Sequence, residues 1–254
     1  MSIHPSAFID PTARIGEGVS VGAGAIIEAH VVVGDGCVID AYAVVRRGVR
    51  MGRNNRLHPF CVIGGDPQDL GFEASTPSRV EIGDDNEFRE HVTVHRAARE
   101  GGATRLGSGC LMMNYSHVAH DCVLGDGCIL ANGVQLGGHV EVGEGVVFGG
   151  GAMVHQFCRV GARAMVAAMV LLRKDVLPFT LVGGEPVRHY RANRIGLRRS
   201  GMSEEVVASI GRALRELRRS GNRSVGDCSG SPELRRLRDW LAEPSRRGVY
   251  GWAG

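Results

Sequence analysis

A six-residue period runs through most of this 254-residue chain and limits its possible folds more than any other feature. Read at every sixth position, Ile3, Ile9, Ile15, Val21 and Ile27 begin a series that continues through Val45 and Leu57 to Ile63. It resumes at Ile82, Phe88 and Val94, and again from Leu106 through Val118, Leu130 and Val154 to Leu172. All 26 positions are apolar, although apolar residues make up only 43% of the chain. Glycine follows directly at 12 of the 26, as at Gly16, Gly22, Gly125, Gly143 and Gly161. A helix, at about 3.6 residues per turn, and a strand, alternating at every second residue, both fail to match this period. Short strands joined by tight corners match it, with glycine supplying backbone conformations closed to other residues.

Three hexads make one triangular turn of 18 residues, and successive turns stack as parallel strands. About eight turns, at about 4.8 Å per layer, give a prism roughly 40 Å tall. The position four residues after each aliphatic should also point inward and be small, as at Ala25, Val31, Ala43, Val134 and Val140. Six of the seven cysteines (Cys37, Cys61, Cys110, Cys122, Cys128 and Cys158) fall there, which marks them as buried packing residues without metal or redox chemistry. Cys228 lies outside the repeat and has no evident role.

Two interruptions, Gly65–Arg79 and Ala97–Thr104, read as loops ejected from a prism over residues 1–185. Residues 186–254 read as a small helical domain. Ser203-Glu-Glu opens one helix with Val206, Val207, Ile210, Leu214 and Leu217 along one stripe, and Ser231-Pro-Glu opens another with Leu234, Leu237, Trp240 and Leu241. Fifteen arginines against seven acidic residues give this stretch a net charge of +8 and leave the prism at −5. No aromatic residues interleave with the arginines as nucleic-acid binding would require. The start of the chain lacks the basic and apolar run of a signal peptide, and the longest apolar run, Met165–Leu172, is far too short to span a bilayer. A cytoplasmic protein with reduced thiols is expected.

The histidines draw attention next. His58, His95 and His155 follow an inward aliphatic and should face outward, as should His117, while His120 and His139 fall at corners. His120 and His139 are 19 residues apart, one turn plus one residue, and His155 lies 35 from His120, two turns less one. His117, His120, His139 and His155 should therefore line one edge near both ejected loops. Two chemistries suit such an edge: zinc binding by converging imidazoles, and acyl transfer with one imidazole as general base. Spacing alone leaves both open.

Asn114-Tyr-Ser-His-Val-Ala-His-Asp-Cys122, Gly137-Gly-His139 and Val154-His-Gln-Phe-Cys158 resemble the signature of the UDP-N-acetylglucosamine O-acyltransferases, which catalyse the first step of lipid A biosynthesis. Gln68-Asp-Leu70, Ser78-Arg-Val-Glu-Ile-Gly83, Val92-Thr-Val-His-Arg96 and Gly196-Leu-Arg-Arg199 resemble the same family in order and spacing, so the likeness runs essentially end to end. It implies a left-handed parallel β-helix followed by a small helical domain, and a homotrimer with sites between neighbouring prisms. It implies transfer of a (3-hydroxy)acyl chain from acyl carrier protein to the 3-position of UDP-GlcNAc, or of a 3-amino analogue, without metal or cofactor. By the same resemblance His120 is the general base, Asp121 its orienting partner and the Gly138 amide the oxyanion donor. Asp69, His95, His117, His139, His155 and Gln156 hold sugar nucleotide and acyl group, and Asn193 and Arg199 the nucleotide and its phosphates. The +8 stretch suits an acidic carrier protein.

Four departures accompany the likeness. Gly71 stands where the family usually has Lys, Ile195 where a Glu is common, and Ala-Ala follows Arg96 in place of Gly-Thr. Ala168 and Met169 occupy the zone that sets acyl length, where a side chain shortens the groove and alters chain preference. Two other functions remain possible on this sequence: a zinc enzyme of the γ-carbonic anhydrase type, whose His-x4-His spacing is absent here, and a non-catalytic sugar-nucleotide-binding scaffold.

Overall fold

The computed structural model describes residues 2–220, 225 and 231–253, so Cys228 lies outside the described residues. Its strands, most of two residues, form three sheets of 11, 9 and 8 strands, in which each strand up to Leu171–Leu172 pairs in parallel with the one three places before it in the chain, and only the last pair of the first sheet is antiparallel. The first sheet starts at Ser2–Ile3, the second at Phe8–Ile9 and the third at Arg14–Ile15. Paired residues are usually 18 apart, as Leu111 with Ile129 and Val123 with Glu141. The fold is a left-handed parallel β-helix with a small helical region at one end.

The repeat's aliphatics point into the prism, and from Val21 to Leu172 every one is buried. The first three are not: Ile3 is exposed, and Ile9 and Ile15 are only partly covered, since among the described residues no coil packs against that end. The six described cysteines are buried in the same core. Burial pushes the thiols of Cys61, Cys122 and Cys158 up to about 12, which keeps them protonated and inert.

The hexad glycines have a different role from the expected one. Left-handed backbone falls three residues after the aliphatic, as at Gly18 and Gly24 and also at non-glycines such as Asp121 and His139; among the glycines directly after an aliphatic only Gly64, where the first loop leaves, adopts it. The glycine directly after the aliphatic is needed for close approach. A Cβ on Gly125 would lie 2.7 Å from the backbone nitrogen of Glu144 in the next coil.

Both interruptions leave the prism at the corner between the second and third sheets, after Val62–Gly65 and after Thr93–His95, and rejoin it at Arg79–Ile82 and Ala103–Leu106. Residues 186–254 do not begin with a helix. Arg188–Ala192 pairs antiparallel with Thr180–Gly183 and extends the first sheet. Three helices follow, α1 (Arg194–Arg199), α2 (Glu204–Ser220) and α3 (Pro232–Ala242). Phe179, Leu197, Val207, Ile210, Leu214 and Leu237 form a second, smaller core among them. Among the described residues no helix is long and apolar enough to cross a membrane.

Candidate active site

The corner between the second and third sheets gathers the functional side chains. At Asp121 the backbone turns left-handed (φ +60°), and so it does one and two coils on at His139 (+60°) and Phe157 (+66°). That turn brings together two adjacent side chains that an extended strand would send to opposite faces. His120 Nδ1 lies 2.8 Å from Asp121 Oδ2. A carboxylate only accepts, so in the neutral ring Nδ1 carries the proton and Nε2 the lone pair. Asp121 is fixed in turn: its Oδ2 accepts from the Ala98 amide at 3.0 Å, and its own amide donates to the buried Thr104 hydroxyl at 2.8 Å. Both supports come from the second ejected loop or its rejoining strand.

Gly138 lies one coil beyond His120, and its absent side chain leaves the room that the imidazole uses: a Cβ there would sit 2.6 Å from Nε2. The Gly138 amide donates to no acceptor among the described residues, although its neighbours Gly137 and His139 both do. His139 stands edge-on to His120 at 5.2 Å and stacks on Phe157 at 4.6 Å. One free N–H, one free imidazole lone pair and a half-buried aromatic wall can stabilise an oxyanion and accept a proton within one small volume.

His95 and His117 form a second ring pair on the adjacent end of the second sheet, edge-on at 4.6 Å, with Thr93 Oγ1 2.7 Å from His117 Nδ1. Burial lowers the pKa of both, that of His117 to about 4, so they act as neutral hydrogen-bonding groups. Burial also lowers that of His139. His155, at the same corner, is exposed, and its Nδ1 donates to the Gln156 carbonyl at 3.2 Å. The four expected histidines thus line one edge, arranged with His95 as two ring pairs and a separate His155. Asp69 lies in the exposed part of the first loop and accepts the Gly71 amide at 2.9 Å.

Four expected site residues are elsewhere: Ala168 and Met169 lie at the corner between the first and second sheets, and Asn193 and Arg199 beside another corner. Asn193 caps α1, and its side-chain amide donates to the Arg163 carbonyl at 3.0 Å, at the corner between the third and first sheets. Arg199 is exposed at the end of the same helix. In one chain neither reaches the histidine corner. The sequence reading missed the supports of Asp121 (Ala98 and Thr104), the Phe157 wall and Arg96. Phe157 was open to discovery, since it follows Asp121 and His139 at intervals of 18. The arginine is buried and fans out to Asp66, Ala74, Thr76 and Ser78 of the first loop.

His120, Asp121 and His139 also place three ligand-type atoms within 4.8 Å of one another, a spacing that a metal ion could bridge. Comparison with known proteins bears on that choice. A family model of bacterial transferase hexapeptide repeats matches residues 1–34, 30–65 and 103–138, which defines the class as hexapeptide-repeat transferases. A second model, described as domain 2 of UDP-N-acetylglucosamine O-acyltransferase, matches residues 175–250. A relative from Alkalilimnicola ehrlichii, named acyl-(acyl-carrier-protein)–UDP-N-acetylglucosamine O-acyltransferase, is 47% identical over 97% of this chain and 98% of its own length. The solved LpxA of Acinetobacter baumannii superposes with a TM-score of 0.92 at 34% identity, over 98% of this chain and 100% of that one. The UDP-N-acetylglucosamine acyltransferase LpxA of Bacteroides fragilis gives 0.90 at 36%, over 97% and 98%. The chain belongs to the UDP-N-acetylglucosamine O-acyltransferase family and is an enzyme of acyl transfer.

Proposed function

We propose that the protein moves a (3-hydroxy)acyl chain from acyl carrier protein to the 3-hydroxyl of UDP-GlcNAc, the first step of lipid A biosynthesis, with His120 as general base. Nε2 of His120 takes the hydroxyl proton as the sugar oxygen attacks the thioester carbonyl. Asp121 holds the imidazole in the required tautomer and stabilises the imidazolium that forms. The Gly138 amide donates to the oxyanion of the tetrahedral intermediate, a contribution of about 3–4 kcal/mol where such donors have been removed. Collapse of the intermediate expels the carrier thiolate, which takes the proton back from His120. His95, His117, His139, His155, Gln156 and Asp69 surround the substrates.

The observation that carries the assignment is the Asp121–His120 hydrogen bond, which puts the lone pair of the neutral ring on Nε2, beside a Gly138 amide that has no acceptor among the described residues. Replacing His120 with Ala should lower kcat by about 10²–10⁴ with the fold retained. Unchanged acyl transfer in that variant would remove the assignment. Family membership favours acyl transfer over zinc chemistry at the same three residues, and stoichiometric zinc in active, purified enzyme would reverse that preference.

Asn193 and Arg199 complete the site only if a neighbouring copy supplies them, which supports a homotrimer with shared sites. Their corner and the histidine corner are different edges of one prism. Co-expression of His120→Ala and Asn193→Ala chains tests this, because mixed assemblies then regain some intact sites. Activity no higher than either variant alone would argue against sharing.

A further inference from the structure

We propose that Arg246 and Arg247 form a phosphate-binding site beside the catalytic histidines, taking a phosphate ester of one of the two substrates. The proposal rests on the acyl-transfer function assigned above. After α3 the chain returns along the last coil and is fastened there. The Asp175 amide donates to the Gly248 carbonyl at 2.8 Å, and the Tyr250 amide to the Asp175 carbonyl at 3.1 Å. The Arg173 amide donates to the Tyr250 hydroxyl at 2.6 Å, and His189 Nδ1 to the Tyr250 carbonyl at 3.0 Å. This fastening delivers both arginines to the histidine corner. Arg247 Nε donates to the Gln156 carbonyl at 2.9 Å, and the guanidiniums of Arg246 and Arg247 lie 5.3 and 5.7 Å from the centre of the Phe157 ring. The same ring stacks on His139, which is edge-on to His120.

Arg159 and Arg236 are neutralised, whereas Arg246 and Arg247, like Arg99 of the second loop, have no carboxylate partner among the described residues. Arg159 is paired with Asp175 and Glu243, and Arg236 with Glu144. Among the described residues no carboxylate comes within 4.0 Å of Arg246 or Arg247. Asp121, the carboxylate at this corner, is occupied by His120 and the Ala98 amide. Two adjacent guanidiniums without a counter-charge repel each other, and their planar donor sets match phosphate oxygens. Both substrates of the assigned reaction carry phosphate: the sugar nucleotide as a diphosphate, the carrier protein on its pantetheine arm. The mainly apolar Phe157 wall between the arginines and His139 would keep the anion close to the reacting atoms without placing it on them.

The test uses the full-length enzyme with Arg246→Gln, Arg247→Gln and the double variant. Arg246 makes no hydrogen bond among the described residues, so its replacement removes charge without loosening the segment, and thermal unfolding checks the fold of all three. Steady-state kinetics are measured with UDP-GlcNAc varied, and with acyl-phosphopantetheine and acyl-pantetheine as alternative donors. The expected result is a rise of about tenfold in one KM for the double variant, with kcat nearly unchanged and partial recovery in Arg246→Lys. If the phosphate belongs to the donor, wild type favours acyl-phosphopantetheine over acyl-pantetheine and the double variant treats them alike. If it belongs to the acceptor, KM for UDP-GlcNAc rises and the donor comparison is unaffected. Unchanged KM values for both substrates overturn the site. Calorimetric binding of UDP-GlcNAc and of acyl-phosphopantetheine needs no turnover and decides the same question in an enzyme that transfers nothing. Equal affinities in wild type and double variant would again overturn the site, separately from the fate of the proposed reaction.

Discussion

The imidazole of His120 occupies the space where a side chain on Gly138 would begin: a Cβ there would lie 2.6 Å from Nε2 and 2.7 Å from Cε1. The glycine therefore does more than present an amide, because it also admits the base. Gly138→Ala should displace the ring from Asp121 and lower kcat by about 100-fold or more, the range seen when a catalytic donor or base is misplaced. The obstructing atoms belong to a side chain that can rotate, so the melting temperature should stay within a few degrees. A variant with near-normal kcat would show that the base does not need this position.

Arg96 should hold the first ejected loop in place. Its side chain is 2% exposed, donates to Asp66 at 2.8 Å and to the Ala74 carbonyl at 2.8 Å, also reaches Thr76 and Ser78, and lies over the Phe72 ring at 4.8 Å. Lysine keeps the charge but cannot reproduce a planar fan of donors. Arg96→Lys should cost about 3 kcal/mol, the usual scale for breaking a buried ionic network. Limited proteolysis should cut between residues 65 and 79 before the prism unfolds. Equal denaturant midpoints and equal cleavage rates would show that the loop does not depend on the clamp.

Acyl preference should respond to the corner between the first and second sheets. Met169 is 81% exposed, and its sulfur lies across Gly151, where a Cβ would meet it at 2.4 Å. Ala168 is exposed beside it, with its backbone against Gly149. Ala168→Gly removes one methyl from the surface and should shift selection toward longer donors with little change in stability. Mass spectrometry of products from a mixed acyl-carrier pool reads this directly. The same product distribution as wild type would place the chain-length limit elsewhere.

The prism was legible because every third of a turn repeats one steric demand, an inward aliphatic, and a period shared by 26 positions leaves little freedom of register. The histidine edge followed from the same counting, since residues 18 apart occupy neighbouring rungs. The Asp121 to His120 pairing was less legible. It depends on left-handed backbone at Asp121, which the hexad register marks only as a corner and which Asp adopts more readily than most residues without requiring it. The corner that Asn193 occupies was not legible, because it is chosen by packing of the tail on Arg163, a contact across 30 residues. Arg246 and Arg247 look like solvated charge in sequence. Their position is set by anchors at Asp175 and His189, far away in the chain.

The His189 anchor should make stability depend on pH. Its ring is fully buried, Nδ1 donates to the Tyr250 carbonyl and Nε2 accepts the Leu177 amide at 3.0 Å. A proton on Nε2 would set donor against donor, and burial holds the pKa at about 4 against 6.5 for a free histidine. The folded pKa is depressed, so the unfolded chain binds the proton first as the pH falls. The stabilisation is therefore complete above about 6.5 and is lost progressively down to about 4, a total of roughly 3 kcal/mol. His117 shifts in the same direction, so wild type alone cannot isolate the effect. Urea unfolding of wild type and His189→Gln at several pH values between 7 and 4 can do so. The variant should be less stable at pH 7 and should lose less stability on acidification. Activity in wild type should fall over the same interval as the segment bearing Arg246 and Arg247 loosens. Parallel pH profiles for the two proteins would show that His189 titrates normally and that another group holds the segment down.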